Sequence, residues 1–390
     1  MADKDVALDD LMELLSVPGP SGSEKEIVKH IISKCKAIPG FKGEIIVDNA
    51  NQAIEHGGDT GNLIIRFPGD AQKQGLLFSA HMDTIPFAVG ASPVIRDGFV
   101  RNQKPGTSLG ADCRAGCAIL LQLIRKLSAE NGNHPPVTFA FFVQEENGEW
   151  GSRMLSGDSL GKPAPTMAFN FDGEEPEKIA YASVGVERFH IDIKGKSAHA
   201  GINPEEGISA ALIFSNALGA LSSGGWFGRI RRQEGCGTAN IGVLQGGKIS
   251  NAVMPDLYAY GEARSPDPRF RMQIMDVWKA AFNRAVAAVT NTKGESGDAT
   301  FRPGSVSESY HLKADSPVVR LAAEAISRCG LTPMLEVCDG VGDPNWLNAK
   351  GIPTVGLGMG VHKCHSTDEC VSLREFHQSC RIAKALLESV

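Results

Sequence analysis

The chain has 390 residues, 42% of them hydrophobic and 22% charged, and a formal net charge of −6 at pH 7. Those proportions describe a soluble globular protein long enough for two domains. The acidic balance, with no basic cluster interleaved with aromatics, excludes a general nucleic-acid binder, and no run approaches the roughly eighteen apolar residues of a membrane span. The N-terminus, MADKDVALDD, lacks a basic segment followed by an apolar core, so no secretory signal is read there. The nine cysteines are odd in number and form no CxxC pair, which fits a reduced, cytoplasmic compartment where most serve as small core residues.

In chain order, ALDDLMELLSVPG reads as a helix stopped by Pro18 and Gly19, and SGSEKEIVKHIISKCKAI as a second helix with Ser23 and Glu26 in a capping pattern. GNLIIRFPG and GLLFSAHMDT read as strands. GADCRAGCAILLQLIRKLSAEN is a Gly-led turn entering an apolar helix. PPVTFAFFVQEE and PTMAFNFDGEE are apolar on both faces, as strands inside a covered sheet are. This rhythm predicts an α/β fold, a mostly parallel sheet with helices on both faces. Near residue 183 the texture changes to an alternating strand, GVERFHIDIKGK, a helix from about Glu205 to Leu221, strands GTANIGVLQGG and DLYAYGEARS, the long helix RFRMQIMDVWKAAFNRAVAAV and the short strand DATFRPG. That β-α-β-β-α-β order is the ferredoxin-like split unit. After about residue 308 the first texture returns with the helix SPVVRLAAEAISRCG, the strand IPTVGLGMG and a C-terminal helix. The predicted organisation is a large domain in two parts, 1–182 and 309–390, with an α+β domain inserted over 183–308.

Within VTFAFFVQEENGEWGS a buried strand runs out into two adjacent carboxylates, Glu145 and Glu146. Ordinary Glu-Asn-Gly turn chemistry is one reading. The other is a site, because ligands collect at the carboxyl ends of the strands in open α/β sheets. The rest of the chain favours the site. His81 and Asp83 of FSAHMDT, Asp112 of SLGADCRAG, Asp172 of FNFDGEE and His365 of VHKCHSTDE fall at the same edge of the predicted sheet. Imidazole with carboxylate, and no thiolate requirement, suits zinc or a similar divalent ion at a catalytic centre. His362 is a rival to His365 in the same loop.

The motifs SAHMDT, GAD, EENGEWGS, FNFDG, SAHAG, GGKISNAVMPD and HSTDE, running from about residue 80 to the end, together resemble the dinuclear zinc peptidase family of aminoacylases, glutamate carboxypeptidases, succinyl-diaminopimelate desuccinylase and peptidase T. FNFDGEE and NAKGIPTVGLGMG look most like the peptidase T branch. The resemblance implies a zinc-exopeptidase-like catalytic domain and an inserted lid and dimerisation domain. It implies two divalent ions, zinc with cobalt or manganese as alternatives. His81, Asp112 and Asp172 would hold one ion, and Asp112, Glu146 and His365 the other, with Asp112 bridging. Glu145 would be the general base that deprotonates the water between the metals. Asp83 would orient His81 through its unligated nitrogen, which two residues on one strand face permit. His199 of SAHAG would stabilise an oxyanion from the partner subunit of a homodimer, Asn251 would position substrate, and Arg264 would meet a substrate carboxylate. The resemblance also implies a cis peptide after Asp112.

The chain departs from the family pattern in reading Asp112-Cys113 where many members have Asp-Asp, and GVGDPNW in place of GGSDAN, with Pro344 placed to reshape the substrate pocket. The implied activity is that of a tripeptidase or aminopeptidase-type exopeptidase on small peptides. An N-acyl amino-acid deacylase would use the same centre. A non-catalytic, metal-stabilised peptide-binding dimer is the third reading, and the intact Glu145 argues against it.

Overall fold

The computed structural model describes residues 5–130 and 134–389, which divide into two compact units. Residues 1–4, which open the N-terminal reading, and Asn131, at the end of the predicted helix, lie outside it. The first unit comprises Ala182 and the chain before it, Leu312–Cys338, and the chain from Gly342 onward. The second runs from Ser183 to His311, rather than to 308, and includes Asp339–Val341.

The first unit is built on a sheet with the strand order Glu44–Val47, Leu63–Phe67, Val137–Phe142, Leu76–His81, Met167–Gly173, Thr354–Gly358, Lys178–Ser183. The central strands Val137–Phe142, Leu76–His81, Met167–Gly173 and Thr354–Gly358 pair in parallel. The flanking pairs are antiparallel. Alternation explains the covering on both faces. Phe78, Phe139, Phe141, Phe169 and Phe171 point into one core, while Leu77, Ala140, Phe142 and Ala168 point into the other. The rings of Phe78 and Phe139 stand 5.9 Å apart and those of Phe78 and Phe169 5.5 Å, each buried ring contributing about 1.5–3 kcal/mol. The helix Ala111–Ala129 packs on the first face, buried along nearly its whole length. Because the central strands run the same way, their carboxyl ends share one edge, and the candidate residues follow from it.

A second, four-stranded antiparallel sheet, Val361–His362, Cys370–Ser372, Phe99–Asn102 and Pro93–Arg96, has no counterpart in the sequence reading. Its strands of two to four residues are too short to show a period. The capping pattern at Ser23 is also corrected. The helix is Lys25–Lys36 with Glu24 at its N-cap and no side-chain cap, because Glu24 turns inward, where its Oε1 accepts from the N–H groups of Gly22 and Gln144.

The second unit carries a five-stranded antiparallel sheet in the order Gly228–Arg231, Cys236–Gly246, Asp256–Ser265, Gly185–Lys194, Asp298–Ser307. The helices Ala210–Ser223 and Pro268–Ala288 cover it over a core that includes Phe189, Ile191, Trp278 and Phe282. This is the ferredoxin-like order with one short extra edge strand. The helix expected from Glu205 starts at Ala210, since Pro204–Glu206 forms a separate 3-10 turn and Ser209 caps the helix by accepting from Leu212 N–H at 3.2 Å.

Candidate active site

His81 closes its strand and is 1% exposed. Its Nε2 lies 3.2 Å from Asp112 Oδ1, 3.4 Å from Asp172 Oδ1 and 4.0 Å from Glu145 Oε2. On the other side of Asp112, His365 Nε2 lies 3.4 Å from Asp112 Oδ2 and 2.7 Å from Glu146 Oε2. Two donor sets therefore form and share Asp112. His81, Asp112, Cys113 and Asp172 make one, and Asp112, Glu146 and His365 the other, each with its donor atoms within 4.8 Å of one another. His362 stands apart from both, paired with Glu375 at 2.5 Å. Cys113 Sγ donates to the carbonyl of Phe171 at 2.7 Å, and burial raises its pKa well above the ordinary thiol value, so it sits there as a thiol. The Asp112–Cys113 peptide is cis.

The adjacent carboxylates are aimed by backbone rather than by glycine alone. Gln144, a non-glycine residue, takes the left-handed conformation (φ 53°) directly before Glu145, as does Glu149 (φ 52°) after it. Gln144 is held there by its N–H on Glu24 Oε1 (3.1 Å), its amide on Gly57 O (2.8 Å) and a contact with His56 Nε2 (3.1 Å). Gly148 supplies the other unusual dihedral (φ 136°), and Gly151 has no room for a Cβ, which would stand 2.5 Å from Val143 O. Arg153 lies over the rings of both Trp150 and Trp346, at 4.7 and 4.8 Å, joining this turn to the short helix Asp343–Ala349. That helix is opened by Pro344, and a Cβ on the preceding Gly342 would stand 3.4 Å from Glu145 Oε1.

Asp83 supports the same turn. Its Oδ1 accepts from Glu145 N–H at 3.0 Å, and its Oδ2 from Glu146 N–H at 3.2 Å and the Ser21 hydroxyl at 2.7 Å. His81 Nδ1 is nearer the Asp83 backbone carbonyl (3.2 Å) than the Asp83 carboxylate (3.4 Å). Asp83 thus fixes both the imidazole and the glutamates. Glu369 was also missed by the sequence reading, although it closes the HSTDE motif. It accepts hydrogen bonds from the start of the Asp112 helix. Neither role leaves a period or spacing signal, because each is a contact between distant segments.

Charge is crowded. Burial, with Asp172, Asp343 and Glu146 nearby, holds the Glu145 carboxyl well above the usual range, although His81 draws it back. Burial likewise pushes Asp343 up to about 8 and Glu24 up to about 8. For Asp112 burial acts the same way, but the hydrogen bonds from His365 and His81 outweigh it and hold the carboxyl well below its usual value. His365 is raised to about 10 by Asp112 and Glu146. One oxygen of Glu146 and both of Asp343 are buried without a hydrogen-bond partner. Orphaned carboxylate oxygens and an oxygen–nitrogen donor set gathered around so much negative charge fit divalent cations.

His199, Asn251 and Arg264 belong to the second unit. His199 and Asn251 are exposed on neighbouring loops, joined by Ala200 N–H donating to Asn251 O at 3.0 Å and by the bridge from His199 to Ala252. Arg264 is engaged by Glu262 through two hydrogen bonds, 2.8 and 3.2 Å, and donates to Asp339 O.

A parallel-sheet edge carrying two histidine–carboxylate donor sets defines a metal-dependent hydrolase. Residues 77–389 match the model of peptidase family M20/M25/M40, and the chain belongs to that family as a metallopeptidase. It is 31% identical over 381 residues to the uncharacterized protein YqjE of Bacillus subtilis, covering 98% of this chain and 97% of that one. Among solved structures it is similar to the aminopeptidase PepT of Bacillus cereus, at 29% identity and a TM-score of 0.86 over 98% of both chains. A tripeptidase of Staphylococcus aureus matches at 25% identity and a TM-score of 0.85, over 98% of this chain and 97% of that one.

The raised carboxyls predict how the metal-free protein responds to pH. A carboxyl whose folded pKa exceeds its unfolded value stabilises the fold fully below the unfolded pKa and loses that contribution as pH rises through the folded one. In the presence of a chelator, the melting temperature should therefore fall from about pH 4 to about pH 8, each such group contributing up to about 1.4 kcal/mol per pH unit. Asp343→Asn should flatten that fall. With saturating cobalt the trend should reverse, because the ligands must lose protons to bind. Differential scanning calorimetry across this range checks both arms.

Proposed function

We propose that the protein is a two-zinc exopeptidase of the tripeptidase or aminopeptidase type, acting on small peptides as a cytoplasmic homodimer. The observation that carries this reading is the position of Glu145 beside two donor sets that share Asp112, while belonging to neither. His81, Asp112 and Asp172 would hold one ion and Asp112, Glu146 and His365 the other. When bound, the two ions supply a water acidic enough to attack at neutral pH and polarise the scissile carbonyl.

The remaining work falls to the chain. Glu145, fixed through its own N–H by Asp83, takes the proton of the attacking water and passes it to the leaving amine. Asp83 keeps the His81 ring and the Glu145–Glu146 turn in one register. His199 donates to the developing oxyanion, and Asn251 beside it orients the substrate. Arg264 receives a substrate carboxylate only by exchanging Glu262 for it. The tripeptidase reading draws on the likeness to PepT and the staphylococcal tripeptidase. Cytoplasmic residence accords with nine free cysteines and with no described helix being long and apolar enough to cross a membrane. The homodimer accords with the half-covered strand Cys236–Gly246. Its neighbour Gly228–Arg231 pairs with residues 236–239 alone, and beyond them Leu244 and Ile249 are 52% and 67% exposed.

On metal-reconstituted protein, a screen of dipeptides, tripeptides and N-acyl amino acids should show turnover that requires a free amine, fastest on tripeptides. Hydrolysis confined to N-acyl amino acids would move the assignment to a deacylase. Glu145→Gln should lower kcat by about 10²–10⁴-fold with two ions still bound. Glu146→Gln should weaken one ion. Equal metal loss in both variants, measured by elemental analysis after dialysis, contradicts the division of roles. Mixing inactive Glu145→Ala and His199→Ala dimers under subunit exchange should restore activity, since one site of each mixed dimer is intact. Heterodimers that stay inactive place His199 in its own subunit or outside the reaction.

A further inference from the structure

The two donor sets are not held with equal rigidity. His81 and Asp172 sit at the ends of central strands. His365 lies in a loop, in the left-handed conformation (φ 61°), with its side chain 56% exposed, so packing does not fix it. What fixes the loop is Glu369, 2% exposed. Glu369 Oε2 accepts from the Ser108 hydroxyl and from Gly110 N–H (2.7 Å), and Oε1 from the N–H groups of Ala111 (2.8 Å) and Asp112 (3.0 Å). The three amides belong to the turn Gly110–Asp112, which non-helical dihedrals at Asp112 and Cys113 set off from the regular part of the Ala111–Ala129 helix, and the buried carboxylate satisfies all three.

The same carboxylate is tied to the His365 loop by the chain itself. Glu369 N–H donates to Ser366 O at 3.3 Å, and the Ser366 hydroxyl to Lys363 O at 2.7 Å, so the loop closes on itself. Ser108 adds a second tie, its hydroxyl standing 2.8 Å from Ser366 O. Glu369 therefore joins the segment that carries Asp112 to the segment that carries His365.

Resting on the dinuclear reading above, we infer that Glu369 is a positioning residue that sets Asp112 against His365 and thereby determines the affinity of the second cation site, Asp112–Glu146–His365. It touches neither ion nor substrate. A glutamine would keep one accepting oxygen but turn its NH2 toward at least one backbone N–H donor, that of Gly110, releasing that side of the anchor. The first site shares Asp112 but keeps His81 and Asp172 in the sheet, and should be weakened less.

The test is a cobalt titration of the full-length, metal-stripped chain, followed by calorimetry and by the visible absorption of bound cobalt. Wild type should take up two ions. Glu369→Gln should bind the first with a clearly smaller loss than the second, which it should bind about 10–100-fold more weakly. Ser108→Ala, which keeps the carboxylate and removes one donor and one tie, should weaken the same ion by a smaller factor, and it decides the matter if the glutamine variant does not fold by circular dichroism. Two ions held with wild-type affinity in the folded variants overturn the inference, as does equal weakening of both ions. A wild-type protein that takes up only one ion overturns the dinuclear reading itself.

Discussion

The structure depends on placing like charges where water cannot screen them. Asp112, Glu145 and Asp172 converge on the buried His81 imidazole at the edge of the sheet, and Glu146 and Asp112 meet the more exposed His365 beside it. Without cations, protons do part of the neutralising. The imidazoles are held in the charged form by the surrounding carboxylates, and burial keeps Glu145 toward its acid form. Such an arrangement costs stability in the free chain and becomes favourable when two dications replace the protons. A parallel sheet suits it because strand ends from distant parts of the sequence arrive at one edge with their carboxyl termini aligned.

Around that centre lies a layer of groups that belong to neither donor set. Asp83 holds the Glu145–Glu146 turn by its backbone, Glu24 holds Gln144, and Glu369 holds the start of the Asp112 helix. Each is a buried carboxyl accepting from main-chain N–H groups; burial still raises the pKa of Glu24 and Glu369, whereas at Asp83 His81 and the hydrogen bonds outweigh burial. They convert a turn with two left-handed non-glycine residues and an exposed histidine loop into a fixed geometry. Precision in a metal site comes from this support as much as from the ligands.

Much of this was legible in the sequence. The central strands announced themselves by apolar runs such as VTFAFF, and the change to strict alternation at GVERFHIDIK marked the second unit. The residues at the strand ends followed from those runs, since the carboxyl edge is fixed once the strands are parallel. The rest was illegible for identifiable reasons. The small antiparallel sheet is made of strands too short for a period to register. Ser23 looked like a helix cap, but the tertiary demand of Gln144 for an acceptor turned Glu24 inward and moved the helix start. Glu369 and Glu24 are separated from their partners by more than a hundred residues, and no local pattern encodes such a contact. The resemblance offers Arg264 to a substrate carboxylate, and no local pattern showed that Glu262, two residues away on the same strand face, engages its guanidinium.

The account stands or falls on Asp112 bridging two ions. Crystals of fully cation-loaded protein, with anomalous diffraction recorded on either side of the metal edge, test this directly. Two peaks roughly 3.5–4 Å apart, both in contact with Asp112 and flanked by His81 and His365, are the result the account predicts. One peak in fully loaded protein, or a pair that Asp112 does not bridge, would contradict it.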